Sequence, residues 1–237
     1  MLTLTKLDNQ LIFPHPEIAH REPNGLLAFG GDLSPQRLML AYSMGIFPWF
    51  SDNELIMWWS PDPRGILPLD QFKCSKSLKK FARNCQYHIT INHAFNQVID
   101  TCATIPRNDS GTWITQEMIN AYKNLHNLGH AHSVEVWQQD NLVGGLYGVV
   151  TGKVFCGESM FHKATNASKL AMLALVNMLK TQGAKFIDCQ MQNSHLASLG
   201  CIEVPRSQFL GMLQQHRSQA FAPSLWHPQT LNLNQWL

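Results

Sequence analysis

Apolar and polar residues recur along this chain with two periods, and the switches between them mark out the elements. "QRLMLAYSM" (36–44) repeats its apolar positions at helical spacing, with Ser34 as N-cap, Pro35 at the first helical position and Gly45 as the stop. The same period predicts helices over 75–84, around "AFNQVIDTCA" (94–103), over "EMINAYKNLHNL" (117–128) between Thr115 and Gly129, and over "ASKLAMLALVNMLKTQG" (167–183). Alternating or continuously apolar runs predict strands at "YHITIN" (87–92), "HSVEVWQ" (132–138), "LVGGLYGVV" (142–150), "KVFCGESM" (153–160) and "KFIDCQ" (185–190). Three strands joined by tight turns, then a helix and a further strand, describe an antiparallel meander followed by a βαβ crossover. That order predicts an α/β (α+β) domain with a mixed sheet.

Residues 1–63 differ from this in being rich in turns and aromatics with one clear helix, and the Pro-rich "SPDPRG" (60–65) reads as the boundary. The expected organisation is a small N-terminal domain over 1–63 followed by the larger domain over 64–237. Hydrophobic residues make up 45% of the chain, so it is globular, and a net charge of +2 gives no bulk attraction to nucleic acid or membrane. Any site for a polyanion must be local. The N-terminal segment lacks the apolar core of a signal peptide, and no run approaches the roughly 18 apolar residues of a membrane span. The expectation is a cytoplasmic protein with no membrane partner. Six cysteines stand singly with no C-x-x-C, which points to reduced thiols rather than a zinc knuckle or a disulfide framework.

Candidate chemistry begins where "KFIDCQMQN" (185–193) turns polar. Strict alternation puts Asp188 and Gln190 on one face of the strand and Cys189 on the other, so a carboxylate and a carboxamide would project side by side. A strand merely reaching solvent would look the same. The element order is similar to the GNAT-type acyltransferase fold, in which acyl transfer to an amine takes place at a split beside this strand. The loop before the crossover helix, "GESMFHKATNAS", has a single glycine where a coenzyme A pyrophosphate would need several, and no G-x-x-x-x-G-K-[ST] is present for ATP. Trp49, Trp58, Trp59 and Trp113 fall in loops or strand ends, where indoles can stack on bases, although Trp58 and Trp59 read better as core. On the helix over 75–84, Lys76, Lys79, Lys80 and Arg83 form one unpaired basic stripe, a local footprint for a polyanion.

"REPNGLLAFGGDLSPQRLMLAYSMGIFPWF", "WWSPDPRG", "GTWIT", "GHAHSVEVW", "LVGGLYGVV", "VFCGESMF" and "IDCQMQNSHLASLG" together resemble the bacterial leucyl/phenylalanyl-tRNA-protein transferases, in order from about Phe13 to Phe209. The resemblance implies a GNAT-like catalytic domain. It also implies transfer of Leu or Phe, more weakly Met, from Leu-tRNA or Phe-tRNA to proteins with N-terminal Arg or Lys, marking them for N-end rule degradation. Asp188 and Gln190 match the family's catalytic pair, Glu158 a substrate-contacting glutamate, and Trp49 with Trp113 the tryptophans beside the 3'-terminal adenosine. The donor side chain would enter a pocket formed by Leu146, Phe155, Met172, Leu175, Leu179 and Ile187. Leu146 and Leu175 replace the Met and Phe of other members, which keeps the pocket apolar and changes its size.

An aminoacyl ester is already activated, so amide formation needs no ATP, metal or cofactor and the task is mostly positioning. With a reference pKa near 4, Asp188 is a weak base, better suited to polarising Gln190 and stabilising the ammonium that forms, while Gln190 orients or relays and Glu158 holds the acceptor's basic group. Three other readings compete: a cysteine hydrolase using Cys189 with His195 or Cys156 with His162, an RNA-binding module without activity, and a coenzyme A acetyltransferase. His130 and His132, flanking a strand start, read as structural.

Overall fold

A computed structural model describes residues 4–106 and 113–233. Gly111 and Thr112 of the "GTWIT" motif lie outside the described residues. In the N-terminal part the chain forms β1 (Thr5–Leu7), β2 (Leu26–Gly30), α1 (Pro35–Ser43), β3 (Phe47–Pro48) and β4 (Met57–Trp59). These strands make a four-stranded sheet in the order β1-β2-β4-β3. The Ser34 hydroxyl accepts from the Arg37 amide, capping α1 as its sequence predicts, and Gly45 follows at φ 75°. Only glycine fits there, because a Cβ would come within 2.8 Å of the Phe209 ring. The sheet itself has no counterpart among the elements expected from periodicity. Its strands span two to five residues, too short for an alternation to show.

The remainder follows as β5 (Arg64–Pro68), α2 (Lys76–Asn84), β6 (Tyr87–Ile91), α3 (Phe95–Thr104), α4 (Gln116–Asn127), β7 (Ala131–Gln138), β8 (Asn141–Thr151) and β9 (Val154–His162). Then come α5 (Ala167–Thr181), β10 (Phe186–Gln190), α6 (Ser194–Ser198), β11 (Ile202–Val204), α7 (Arg206–His216) and β12 (Gln229–Leu231). Eight strands form one mixed sheet in the order β11-β5-β10-β9-β8-β7-β6-β12. The meander β7-β8-β9 is antiparallel and β10 returns parallel to β9 after α5, the crossover its order predicts. Ser75 and Thr115 cap α2 and α4 through their side chains. β5, α7 and β12 were not among the expected elements; β5, read as part of a boundary, instead lies between β10 and β11, antiparallel to both.

Apolar cores lie on both faces of this sheet. α5 and α2 pack on one face, with Leu146, Phe155, Met172, Leu175, Leu179 and Ile187 in a shared cluster. On the other, α1, α3, α4 and α7 join the N-terminal sheet in a cluster running from Leu7 and Trp58 through Val98 and Tyr122 to Phe209. Trp58 is fully buried and donates its indole N–H to the Gly30 carbonyl, the core role expected of it.

Two features open the sheet at the site. β10 pairs with β9 only where Ile187 and Asp188 face Phe155 and Cys156, while β9 runs on to His162. Both strands also carry a bulge: Glu158 is the extra residue of β9 between the pairs Tyr147–Ser159 and Gly148–Gly157, and Cys189 that of β10 between Asp188–Ile66 and Gln190–Gly65. Gly148 admits the β9 bulge, since a Cβ there would lie 2.2 Å from the Cys156 carbonyl oxygen and 2.5 Å from the Phe155 ring.

Candidate active site

A cavity of about 650 Å³ lies where β9 and β10 part. Leu146, Phe155, Met172, Leu175 and Ile187 form its apolar end, with β8, β9, α5 and β10 each contributing. Trp49 and Trp113 stand at its wall, the first 39% exposed. Gln190 and Glu158 supply the polar side, together with Ser159, His162, Gln192, Asn193 and His195. Among the described residues lining the cavity, Glu158 is the one carboxylate.

The bulge in β10 changes the arrangement that strict alternation predicts. Asp188 and Gln190 are not a side-by-side pair. Asp188 is buried, takes no part in the cavity wall, and receives both faces of the Arg64 fork: Nε donates to Oδ1 at 2.8 Å and Nη2 to Oδ2 at 2.7 Å. The remaining Arg64 nitrogen donates to the Gly45 carbonyl, and the guanidinium lies over the rings of Phe47 and Phe209 at 5.0 and 4.4 Å. Asp188 Oδ1 also accepts the backbone N–H of Gln190 at 3.0 Å, which holds Gln190 in a left-handed conformation at φ 62°. The Gln190 side chain consequently turns toward β9, and its Nε2 donates to Glu158 Oε1 at 2.7 Å. Arg64 gave no periodic or motif signal beyond its place in "SPDPRG"; its partner is 124 residues away.

Glu158 has a different environment. The Tyr122 hydroxyl donates to Oε2 at 3.1 Å, and Tyr42 lies against Tyr122 with the two oxygens 2.5 Å apart. Burial raises the Glu158 carboxyl to about 7, against the donors Tyr42, Tyr122 and Gln190, which favour its charge. Burial likewise raises both tyrosines well above the usual phenol value, so they remain donors.

The other expected residues sort by position. Leu179, expected in the pocket, is fully buried behind Met172 and Leu175 and does not line the cavity; one further helical turn carries it into the core. Cys189, expected opposite the site, lines the cavity because of the bulge. Its thiol is pushed well up by its hydrogen bond with Cys201 and by burial, and burial does the same to Cys156, so neither is an activated nucleophile. His132 is buried against Trp226 with its Nδ1 at Asn92, and burial lowers it to about 3, in keeping with a structural part. Lys76, Lys80 and Arg83 are exposed on α2 and Lys79 partly so, while Leu78 and Ala82 bury the opposite face. Among the described residues, no cluster of His, Cys, Asp and Glu could hold a metal ion and no helix is long and apolar enough to cross a membrane.

This mixed α+β architecture with an apolar cavity ending in a hydrogen-bonded amide and carboxylate belongs, by its sequence relatives, to a transferase. The family model for leucyl/phenylalanyl-tRNA protein transferase matches residues 66–214, and that for its N-terminal domain matches residues 31–62. The chain belongs to this family of transferases. Relatives named leucyl/phenylalanyl-tRNA–protein transferase include those of Pseudoalteromonas atlantica, 61% identical over 98% of this chain and 99% of the relative, and Tolumonas auensis, 56% identical over 97% and 98%. The Yersinia enterocolitica relative is 53% identical over 98% of both chains. Among solved structures, L-PGS from Bacillus licheniformis aligns at a TM-score of 0.37 and 13% identity, covering 71% of this chain and 54% of that one.

Proposed function

We propose that the protein transfers leucine or phenylalanine, and methionine more weakly, from aminoacyl-tRNA to the α-amine of proteins beginning with Arg or Lys, marking them for N-end rule degradation in the cytoplasm. The observation that carries this reading is the cavity: an apolar end, two tryptophans at the wall, and the Glu158 carboxylate beside the Gln190 amide. Leu146, Phe155, Met172, Leu175 and Ile187 would take the donor side chain, Trp49 and Trp113 the terminal adenosine, and Glu158 would attract the cationic acceptor. In the same reading the larger sheet is GNAT-like, with the donor ester at the parting of β9 and β10, and residues 1–63 act as a small domain supplying the 3'-end site.

The acceptor nitrogen attacks the ester carbonyl, a C–N bond forms, the C–O bond to the ribose breaks, and the amine's proton leaves with the ribose oxygen. Roughly a tenth of a free α-amine is neutral at pH 7, so orientation rather than strong base is the requirement. Gln190 can accept an amine N–H through its carbonyl oxygen, because its nitrogen is engaged by Glu158. Asp188, neutralised by Arg64, then serves as a positioning residue that fixes the Gln190 backbone, and the charge facing the forming ammonium is that of Glu158.

Incubation with labelled leucyl-tRNA and an Arg-initiated peptide should yield a Leu-Arg peptide, with none formed from acetyl-coenzyme A. Absence of that product would overturn the assignment. The α2 stripe would grip the tRNA body. Replacing Lys76, Lys79, Lys80 and Arg83 by alanine should flatten the dependence of log affinity on log salt by roughly 0.7–0.9 per contact. Transfer from phenylalanyl-adenosine, which has no tRNA body, should be unaffected; equal effects on both donors would remove the stripe from the interface.

A further inference from the structure

Two phenols, Tyr42 on α1 and Tyr122 on α4, are buried in the core beside Glu158, where phenylalanine would fill the same space without bringing a hydroxyl out of water. Their hydroxyls form a chain with a fixed direction. A carboxylate can only accept, so Tyr122 donates to Glu158 Oε2 and its own oxygen accepts from Tyr42. Glu158 Oε1 must likewise face the amide nitrogen of Gln190, and the Gln190 carbonyl oxygen therefore points away from Glu158.

Resting on the transfer reaction proposed above, we infer that Tyr122 and Tyr42 are positioning residues: Tyr122 by donating to Glu158, and Tyr42 by donating to Tyr122, hold Glu158 as an acceptor, and this turns the Gln190 carbonyl oxygen toward the cavity to receive the acceptor amine. Once Glu158 carries a proton, its O–H can donate to the Gln190 carbonyl. The amide then presents its NH₂ to the cavity and competes for the amine's lone pair in place of its N–H.

The groups around Glu158 define what else could titrate. Tyr42 faces it from α1, Tyr122 from α4, Cys156 from the start of β9, and Asp188 from β10 with its charge met by Arg64 of β5. Tyr147 of β8 packs edge-on against Tyr122, and His162 and His195 line the same cavity. Burial and Asp188 favour the protonated form of Glu158, and the tyrosines and Gln190 oppose them.

The test is the ratio of variant to parent transfer rates from phenylalanyl-adenosine to an Arg-initiated peptide, measured from pH 6 to 9. The acceptor amine titrates identically in both reactions and cancels. Removing a hydrogen bond to a charged group should raise the Glu158 pKa by about one unit or more. Tyr122→Phe should then be slower by about tenfold at pH 6 and approach the parent at pH 9. Tyr42→Phe should show the same slope with smaller amplitude. A flat ratio in both variants would reduce the tyrosines to packing, and if Tyr122→Phe does not fold, Tyr42→Phe decides. Titration of the Glu158 carboxyl carbon by ¹³C NMR, assigned with Glu158→Gln, reads the same shift without substrate; an unmoved titration in a folded Tyr→Phe variant overturns the inference. Should the parent transfer nothing, the proposed function fails while this titration still decides whether the tyrosines hold the carboxylate.

Discussion

Two buried carboxylates lie on neighbouring strands of this protein, and they are held by opposite means. Asp188 on β10 has a guanidinium in bidentate contact and a backbone amide beside it. Among the described residues Glu158 on β9 has no cation in contact and takes phenol and amide donors. The charge of Asp188 is met directly by a guanidinium that is itself buried. Neutral donors in a buried setting leave the balance close, and the carboxyl titrates at about 7. Asp188, which sequence resemblance places at the centre of catalysis, is thus bonded to Arg64 and to the Gln190 backbone, and Glu158 is the carboxyl that burial raises toward neutrality.

The largest effect should come from breaking the charged pair. Arg64→Ala leaves Asp188 buried without its cation and should cost about 3–5 kcal/mol in urea unfolding. Exchanging both residues for apolar ones of similar volume should recover much of that stability while abolishing transfer, and a small cost for Arg64→Ala alone would show that Asp188 is better hydrated than its burial implies.

Glu158 should reveal itself through pH. Burial raises its carboxyl in the folded protein from the ordinary 4.5 to about 7, so the native state binds more protons between these values and stability falls as pH rises through that window. The loss should total about 3 kcal/mol and be complete somewhat above pH 7. Glu158→Gln should lack this component, so the stability difference between variant and parent, measured by urea unfolding at each pH, should grow from pH 4.5 to 7. A constant difference would make the two carboxylates alike.

Gln190→Ala removes the amide that Glu158 holds while keeping the backbone N–H that Asp188 holds. Transfer should fall by about 10²-fold, on the scale of losing one oriented polar contact in a reacting site, while donor affinity stays close to that of the parent. An equal fall in donor affinity would place Gln190 in donor binding instead. The smallest effect belongs to the apolar end. Phe155→Ala should weaken selection against Ile and Val by roughly 1–3 kcal/mol, read as a ratio in a competition between aminoacyl-tRNAs so that any loss of folded protein cancels.

The same contrast explains what the sequence made legible. Helix ends marked by Ser34, Ser75 and Thr115 and the meander with its crossover follow from signals a few residues apart, and the structure has them. The apolar wall was legible for the same reason, apart from Leu179, where a helical stripe continues past the cavity into the core. Bulges have no local signature in a period-two pattern, so alternation misplaced Asp188, Cys189 and Gln190 relative to one another. Arg64 and the Tyr42–Tyr122 pair depend on contacts 124 and 80 residues apart in the chain, which periodicity does not carry. Gly148 stood within a run read simply as a strand, although its missing side chain is what admits the bulge at Glu158.

The stacking of Arg64 between Phe47 and Phe209 has a consequence for biosynthesis. Phe47 leaves the ribosome early, whereas Phe209 follows only after every strand of the meander and the crossover helix. Until α7 docks, Arg64 lacks one of its two aromatic faces and the cradle that aims it at Asp188 is open on that side. The strands from β5 to β11 are therefore all made before the cradle that orients Gln190 can close, and competence to modify other proteins arrives as one of the last events of the enzyme's own synthesis.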